Sequence, residues 1–477
     1  MNTIEKLINA FESFIIYYSI SYLLLYLTLA ILSWVAIKKY YDMKYFLPKD
    51  ILVRSNHAVG VSIVAPAFNE AVTIEYNVKS LLSQEYPKFE VVIINDGSTD
   101  ETLEILISRF NLVKVDFFYQ EKIPTQKVIG HYKSTNPIYS KLLVVDKLNG
   151  KSKADGSNAG INSAKYDLFI CTDVDCILRK DTITMLAKPF IENTKKVIAT
   201  GAAIRISNSC EFKDGTLYKS HYPSNFFAGF QELEYIRAYL FGRMAWTSVN
   251  GLLLVSGGLG MFDKETAIAA GGYWHKSLGE DMELITRMRK LMHEKKEEFL
   301  IIYIPESLCW TEVPSTLEIF LRQRVRWARG LVQTLYLHKN VFLNPKYGKT
   351  GFLIFPYFIF FEFLVPIVEV IGLVLLIIDI LFFDINLYYL MIGSSFVYLF
   401  YITITLISVY LDQVIYNHYT GMKEVLRLIF MIFVEPLVFH PINVFASIIG
   451  YWHFFRQIEQ KWGIQVRQGF LKAKIEK

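Results

Sequence analysis

Apolar and polar positions divide this chain into four long uncharged stretches and one polar region between the first two. From Phe14 to Ile37 the sequence is almost uncharged and is closed by Lys38, Lys39 and Lys44. That run supplies the ~20 apolar residues a bilayer-crossing helix needs, with a basic flank behind it. It is longer than a signal-peptide core and no small-x-small cleavage pattern follows it, so it reads as an anchor that is kept. Further apolar blocks run from Phe352 to Ile378, from about Leu381 to Leu411 and from about Leu426 to Phe455. The last contains Glu435, Pro436, His440 and Pro441, which predicts a broken or re-entrant segment.

Within the polar region the period changes. Val61 to Pro66 and Glu90 to Ile94 are short β-branched runs, each ended by turn residues, and each predicts a buried parallel strand. Between them Ile74, Val78, Leu81 and Leu82 stand at helical spacing inside Asn69 to Gln84. Strand, helix and strand in this order form a βαβ unit. The alternation continues with a helix from Thr102 to Phe110, a strand from Val113 to Phe118, a helix starting at Asn158 and a strand from Leu168 to Thr172. An open α/β sheet follows, whose ligands sit beyond the carboxyl ends of its strands. Glu121 to Ser140, with Pro124, Gly130 and Pro137 and no clear period, reads as a surface insertion.

Composition narrows the class. At 53% hydrophobic residues over 477 positions the chain is too apolar for a purely soluble protein. A net charge of +5 is small for this length, and no basic run with interleaved aromatics points to nucleic acid. Cys171, Cys176, Cys210 and Cys309 form no metal-spaced or Cys-x-x-Cys pair and read as reduced thiols. Lysines and arginines through the polar region place it on the cytoplasmic side. Four single crossings would then put the C-terminus outside, whereas Arg456, Lys461, Arg467, Lys472, Lys474 and Lys477 favour a tail held inside against anionic lipid.

Chemistry concentrates in four places. Asp173-Val174-Asp175 follows a strand, where two carboxylates can hold a hard cation together with diphosphate oxygens; solvated acids at a strand end are the plain alternative. Lys153-Ala154-Asp155-Gly156-Ser157-Asn158 precedes a helix, whose N-terminus with Lys153 makes an anion site or simply an N-cap. Glu280-Asp281 stands before a helix-like run, where a carboxylate can take the proton of an attacking hydroxyl or cap the helix. Gln323, Arg326, Trp327 and Gly330 share one face of a predicted helix from Leu317 to Leu337. There Arg326 can grip a diphosphate and Trp327 can floor a sugar ring, or both can meet lipid headgroups.

Taken in order, Pro66-Ala67-Phe68-Asn69-Glu70, Asp96-Gly97-Ser98, Asp173-Val174-Asp175, Gly279-Glu280-Asp281 and Gln323-Arg324-Val325-Arg326-Trp327 resemble the signatures of inverting, membrane-bound family-2 glycosyltransferases, the cellulose, chitin, hyaluronan and poly-N-acetylglucosamine synthases. Asn95 and Cys176 depart from the pattern without removing an assigned residue. The resemblance implies an α/β GT-A fold, a Rossmann-like mixed sheet inserted between transmembrane helices. Its implied parts are an anchor (1–45), a nucleotide-sugar half (46–200), an acceptor half with interfacial helices (201–347), C-terminal membrane helices (348–456) and a basic tail (457–477).

It further implies that Ala65, Glu70, Asp96, Lys153, Asp155, Asp173, Gln323, Arg326 and Trp327 bind the nucleotide-sugar, that Asp175 holds Mg²⁺ or Mn²⁺, and that Asp281 is the base with Glu280 beside it. The expected partners are a UDP-sugar, a glycan acceptor, the bilayer and an accessory export subunit, with the protein in the inner or plasma membrane. N-acetylglucosamine is the favoured sugar because Val255-Ser256-Gly257-Gly258 resembles that branch; glucose stays open. A single-transfer glycolipid enzyme and an inactive export scaffold are the competing readings. Phe262 is a candidate acceptor-loop residue. Glu362 and Glu369 are candidates for a glycan path or for bonds to a neighbouring helix, and His440 and His453 are taken as structural.

Overall fold

The computed structural model describes residues 3–43, 58–213, 215–382, 387–416, 418–419 and 421–458. Lys44 of the basic flank and the tail lysines and Arg467 lie outside them. The β-branched runs become strands as expected. β1 (Val61–Ala67) pairs in parallel with β2 (Phe89–Asp96), Val61 opposite Phe89 and Ala67 opposite Asn95. The helix between them spans Ile74–Leu82 and the next one Thr102–Phe110.

β3 (Leu112–Val115), β4 (Val128–Ser134) and β5 (Leu142–Lys147) extend this edge, followed by β6 (Leu168–Thr172), β7 (Ile177–Leu178) and β8 (Lys196–Ile206). A hairpin, β9 (Glu211–Lys213) with β10 (Thr216–Lys219), stands apart, and β11 (Leu259–Asp263) and β12 (Phe299–Thr311) complete one ten-stranded sheet in the order β3-β4-β5-β2-β1-β6-β11-β8-β12-β7. β11 runs antiparallel to both β6 and β8, so the sheet is mixed. The boundary expected at residue 200 falls inside β8.

Three expectations change. Glu121 to Ser140 is no insertion: it contains β4, which joins the sheet antiparallel to β5. Its half-exposed alternation hides it from a search for buried runs. The helix expected to start at Asn158 is α1 here, Lys153–Ser163, capped by the Ser152 side chain. Asn158 is buried inside it, and its amide bonds the backbone of Tyr273 at 2.7 and 2.8 Å. The last apolar block is one unbroken helix, α2 (Met422–Phe455), with Pro436 and Pro441 inside it. Apolar turns on both sides outweigh the backbone bonds those prolines forgo.

Among the described residues, four helices are long and apolar enough to cross a membrane: Ser13–Asp42, Thr350–Phe382, Leu390–Tyr416 and α2. Glu369 meets His440 of α2 at 3.0 Å, the neighbouring-helix alternative. The helix Leu317–Leu337 (α3) has the predicted bounds and lies against α2, with Phe320 and Phe439 rings 5.0 Å apart.

Candidate functional site

The site forms where β1, β2 and β6 end. Asp96 closes β2, and its Oδ1 accepts from Lys147 Nζ at 2.5 Å and from the Gly150 backbone at 3.0 Å. The same Nζ lies 2.6 Å from Asp155 Oδ1, and Lys147 is fully buried. One lysine therefore ties the acid that ends β2 to the acid in the first turn of α1. Burial pushes the Asp96 carboxyl up, against the pull of Lys147. Gly156 completes the fit, because a Cβ there would stand 3.1 Å from Pro66.

The loops after β1 and β2 are stitched together: Asn69 Oδ1 accepts from Thr99 N at 2.8 Å and Asp100 Oδ2 from Ala71 N at 3.1 Å. Glu70 lies in this turn, its carboxylate taking the Thr73 hydroxyl at 3.2 Å. Ala65 is placed differently. It is fully buried within β1.

Just beyond β6, ligand atoms of Asp173, Asp175 and Cys176 all fall within 4.8 Å of one another. The two carboxylates at that spacing suit one hard divalent cation, and the soft thiol adds nothing to such an ion. Lys153 Nζ bonds Asp173 Oδ1 at 2.6 Å and the Gly257 carbonyl at 2.7 Å. On the other side of Gly257, a Cβ would meet Asp281 Oδ2 at 3.2 Å. A single glycine thus separates Asp281 from the lysine that touches Asp173, and a side chain there would fill the gap.

Asp281 is the second residue of a helix, Glu280–Lys295, and its Oδ1 accepts from its neighbour Met282 N at 2.9 Å. Burial pushes the Glu280 carboxyl up to about 7; Lys153 pulls it down, Asp281 pushes it up, and Arg326 and Asp173 add smaller opposing effects. Lys153, Asp173, Asp281 and Arg326 are therefore all within electrostatic reach of Glu280. The convergence has a steric origin, since a Cβ on Gly330 of α3 would stand 2.7 Å from Gly279 N. Two helices meet backbone to backbone there, which brings the Asp281 turn to the Arg326 and Trp327 face.

Trp327 is 39% exposed. Gln323 Oε1 is buried without a hydrogen bond among the described residues.

Several positioning residues escaped the sequence. Lys147 ends an apolar strand just before Asn149-Gly150, a signal that could have exposed it. Arg324 is held by Glu234 at 2.5 and 2.6 Å and stacks on Trp327 at 4.3 Å. Gln333 clamps the loop before Asp281 through Leu278 N at 3.0 Å and Lys276 O at 2.9 Å. Phe262 is not an acceptor-loop residue: it is buried in β11, its ring 5.3 Å from that of Phe169.

Residues 62–121 match the family described as Glycosyl transferase family 2, and residues 125–330 the one described as Glycosyltransferase like family 2, together more than half of the chain. The chain belongs to the family-2 glycosyltransferases. It is similar to the poly-beta-1,6-N-acetyl-D-glucosamine synthase of Staphylococcus epidermidis, 28% identical over 315 residues, 65% of each protein. The synthase of that name from Staphylococcus aureus strain COL is 27% identical over 317 residues, again 65% of each. The chain thus matches 65% of the length of these curated relatives.

Among solved structures, a mannosyltransferase from Pyrobaculum calidifontis in complex with GDP-Man and Mn²⁺ aligns with TM-score 0.55 at 16% identity, covering 90% of this family-2 chain and 100% of that one. The likeness is one of fold, and that fold is GT-A.

Proposed function

We propose that this family-2 enzyme transfers N-acetylglucosamine from a UDP-sugar to a growing β-linked polysaccharide by one inverting displacement, with its catalytic region on the cytoplasmic face and the polymer exported. The observation that carries this reading is the convergence of Asp173, Asp175, Lys153, Asp281 and Glu280 around Gly257. Names of relatives favour N-acetylglucosamine as the sugar and a polymer as the product.

Asp96 and Asp155, fixed by Lys147, present acceptors to the nucleoside. Asp173 and Asp175 would hold a divalent cation, Mg²⁺ or Mn²⁺, whose preference for oxygen ligands leaves the nearby Cys176 thiol out of its shell. A bound cation would offset charge developing on the leaving diphosphate. Lys153 and Arg326 supply fixed positive charge on the flanks of that group. Asp281 accepts the acceptor hydroxyl proton as the oxygen attacks the anomeric carbon on the face opposite the diphosphate. Trp327 offers a partly exposed ring surface for the acceptor sugar. The protein's work is positioning and charge neutralisation.

The test is incorporation. Purified full-length protein in lipid is given a panel of radiolabelled nucleotide-sugars with Mg²⁺ or Mn²⁺, and the product is sized. Long polymer from UDP-N-acetylglucosamine alone supports the reading. A single sugar on lipid replaces it with the glycolipid enzyme. Absence of metal-dependent UDP release with every donor leaves an inactive scaffold.

A further inference from the structure

α2 has 34 residues, a rise of about 51 Å, ample for a crossing. A crossing helix leaves the catalytic domain at one end, yet both ends of α2 are seated on it. At its start Glu424 Oε1 lies 2.8 Å from His221 Nδ1, and the Arg427 guanidinium donates to the Ser224 carbonyl. At its end a Cβ on Gly450 would stand 2.7 Å from the Val325 carbonyl and 2.8 Å from Ala328 Cβ of α3. Phe454 and Tyr336 rings are 5.8 Å apart.

Its middle meets the helix Leu390–Tyr416 near its midpoint, at Tyr401, and the helix Leu364–Phe382 in its second turn, at Glu369. Glu435 takes the Arg237 guanidinium and the Tyr401 hydroxyl at 3.0 Å, and His440 meets Glu369. Tyr451 stacks near Phe363, where the helix Leu364–Phe382 begins. From Glu369 that helix continues to Phe382, roughly 20 Å further, and α2 does not follow it.

The face of α2 turned from the protein is apolar throughout: Leu426, Phe430, Phe433, Leu437, Phe445 and Trp452 are all exposed. Lys423, Arg427, His453 and Arg456 sit at its two ends. Basic and tryptophan residues at the ends hold those ends at headgroup depth, and the depth of the stretch between them follows from the seating of both ends on the catalytic side. Exposed apolar residues also line the helices Ser13–Asp42 and Leu390–Tyr416.

We infer that α2 does not cross the membrane but lies in the catalytic-side leaflet, lipid on one face and the Arg326-Trp327 helix on the other. The partner of this face is the lipid surface itself. Of the four apolar helices among the described residues, three then cross, and the end of α2 returns to the catalytic side. The inference stands on geometry alone and does not need the proposed chemistry.

The test uses the full chain in sealed vesicles with a membrane-impermeant maleimide, in a Cys210→Ser background because the other cysteines are buried. Gln457→Cys should be labelled from the same side as Glu104→Cys on the catalytic domain and from the opposite side to Phe382→Cys. Labelling of Gln457→Cys together with Phe382→Cys overturns the inference. A second measurement reads depth. Bimane on Leu426→Cys, Leu437→Cys and Trp452→Cys should be quenched most by lipids brominated near the headgroup at all three positions. Strongest quenching of Leu437→Cys by lipids brominated at the chain end, at the bilayer centre, overturns it as well.

Discussion

The two halves of the site are held by different means. Around Asp96, Asp155 and Asp173, acids at a strand end, in the first turn of α1 and just past β6 are tied by lysine contacts within a few ångströms, the buried Lys147 to Asp96 and Asp155, and the partly buried Lys153 to Asp173. Around Asp281, Arg326 and Trp327, position comes from helix against helix: Gly279 on Gly330, Gly450 on Ala328, and Arg324 clamped to Glu234. The first half is rigid because the sheet is rigid. The second is rigid only while α3 stays wedged between the catalytic domain and α2. Damage to the first half should therefore appear as lost donor binding and stability, and damage to the second as lost turnover.

The largest effect belongs to the base. Asp281→Asn keeps the shape and removes the proton acceptor, so polymer formation should fall by about 10²–10⁴-fold while UDP affinity, measured by calorimetry, stays near that of the unchanged protein. Equal loss of UDP affinity would mean that Asp281 serves the donor half instead. Next comes Lys147→Met, which leaves Asp96 and Asp155 buried and unpaired. Breaking such a cluster costs about 3–5 kcal/mol, read as a large fall in the thermal midpoint together with lost UDP binding. The triple variant Lys147→Met, Asp96→Asn, Asp155→Asn should regain stability and not UDP affinity; stability that stays lost would show Lys147 to be mere packing.

The same contrast decides what could be read from residues alone. β1, β2, β6 and the helix Thr102–Phe110 were legible because each is a short apolar run or a regular stripe closed by turn residues. The acids past their ends were legible because strand ends place them automatically. β4 was not, since its half-exposed faces erase the period-two signal. Nor was the start of α1, where Asn158 offered a better cap by type than by position and its amide serves Tyr273 instead. In the other half α3 itself was legible to the residue, but which of its arginines faces inward depends on Glu234 and Phe439, 90 and more positions away. Long-range partners carry no local pattern.

A helix-spacing variant sharpens the comparison at smaller size. Gly330→Ala adds a methyl 2.7 Å from the Gly279 backbone nitrogen, so α3 must move off the Asp281 helix. Overpacking of this kind costs about 1–3 kcal/mol. Turnover should drop roughly tenfold, the size of a ~1.4 kcal/mol misplacement in the transition state, with UDP affinity unchanged. A variant that loses UDP binding in step with turnover would erase the division between the halves.

The smallest effect is one of pH, and it sits where the halves meet. Burial raises the Glu280 carboxyl from an ordinary 4.5 to about 7. Between those values the folded protein keeps a proton that the unfolded chain has already released, so the unfolded state binds fewer protons and stability falls as pH rises through the window. Below about 4.5 both states are protonated and above about 7 both are ionised, so the slope is confined to that interval. Glu280→Gln removes this contribution. Thermal midpoints of the donor-free protein at pH 5.5 and 7.5 should therefore fall less with rising pH in the variant than in the unchanged chain. Equal slopes would mean that Glu280 titrates at its ordinary value, and that the charges of Lys153 and Arg326 reach it more strongly than burial does.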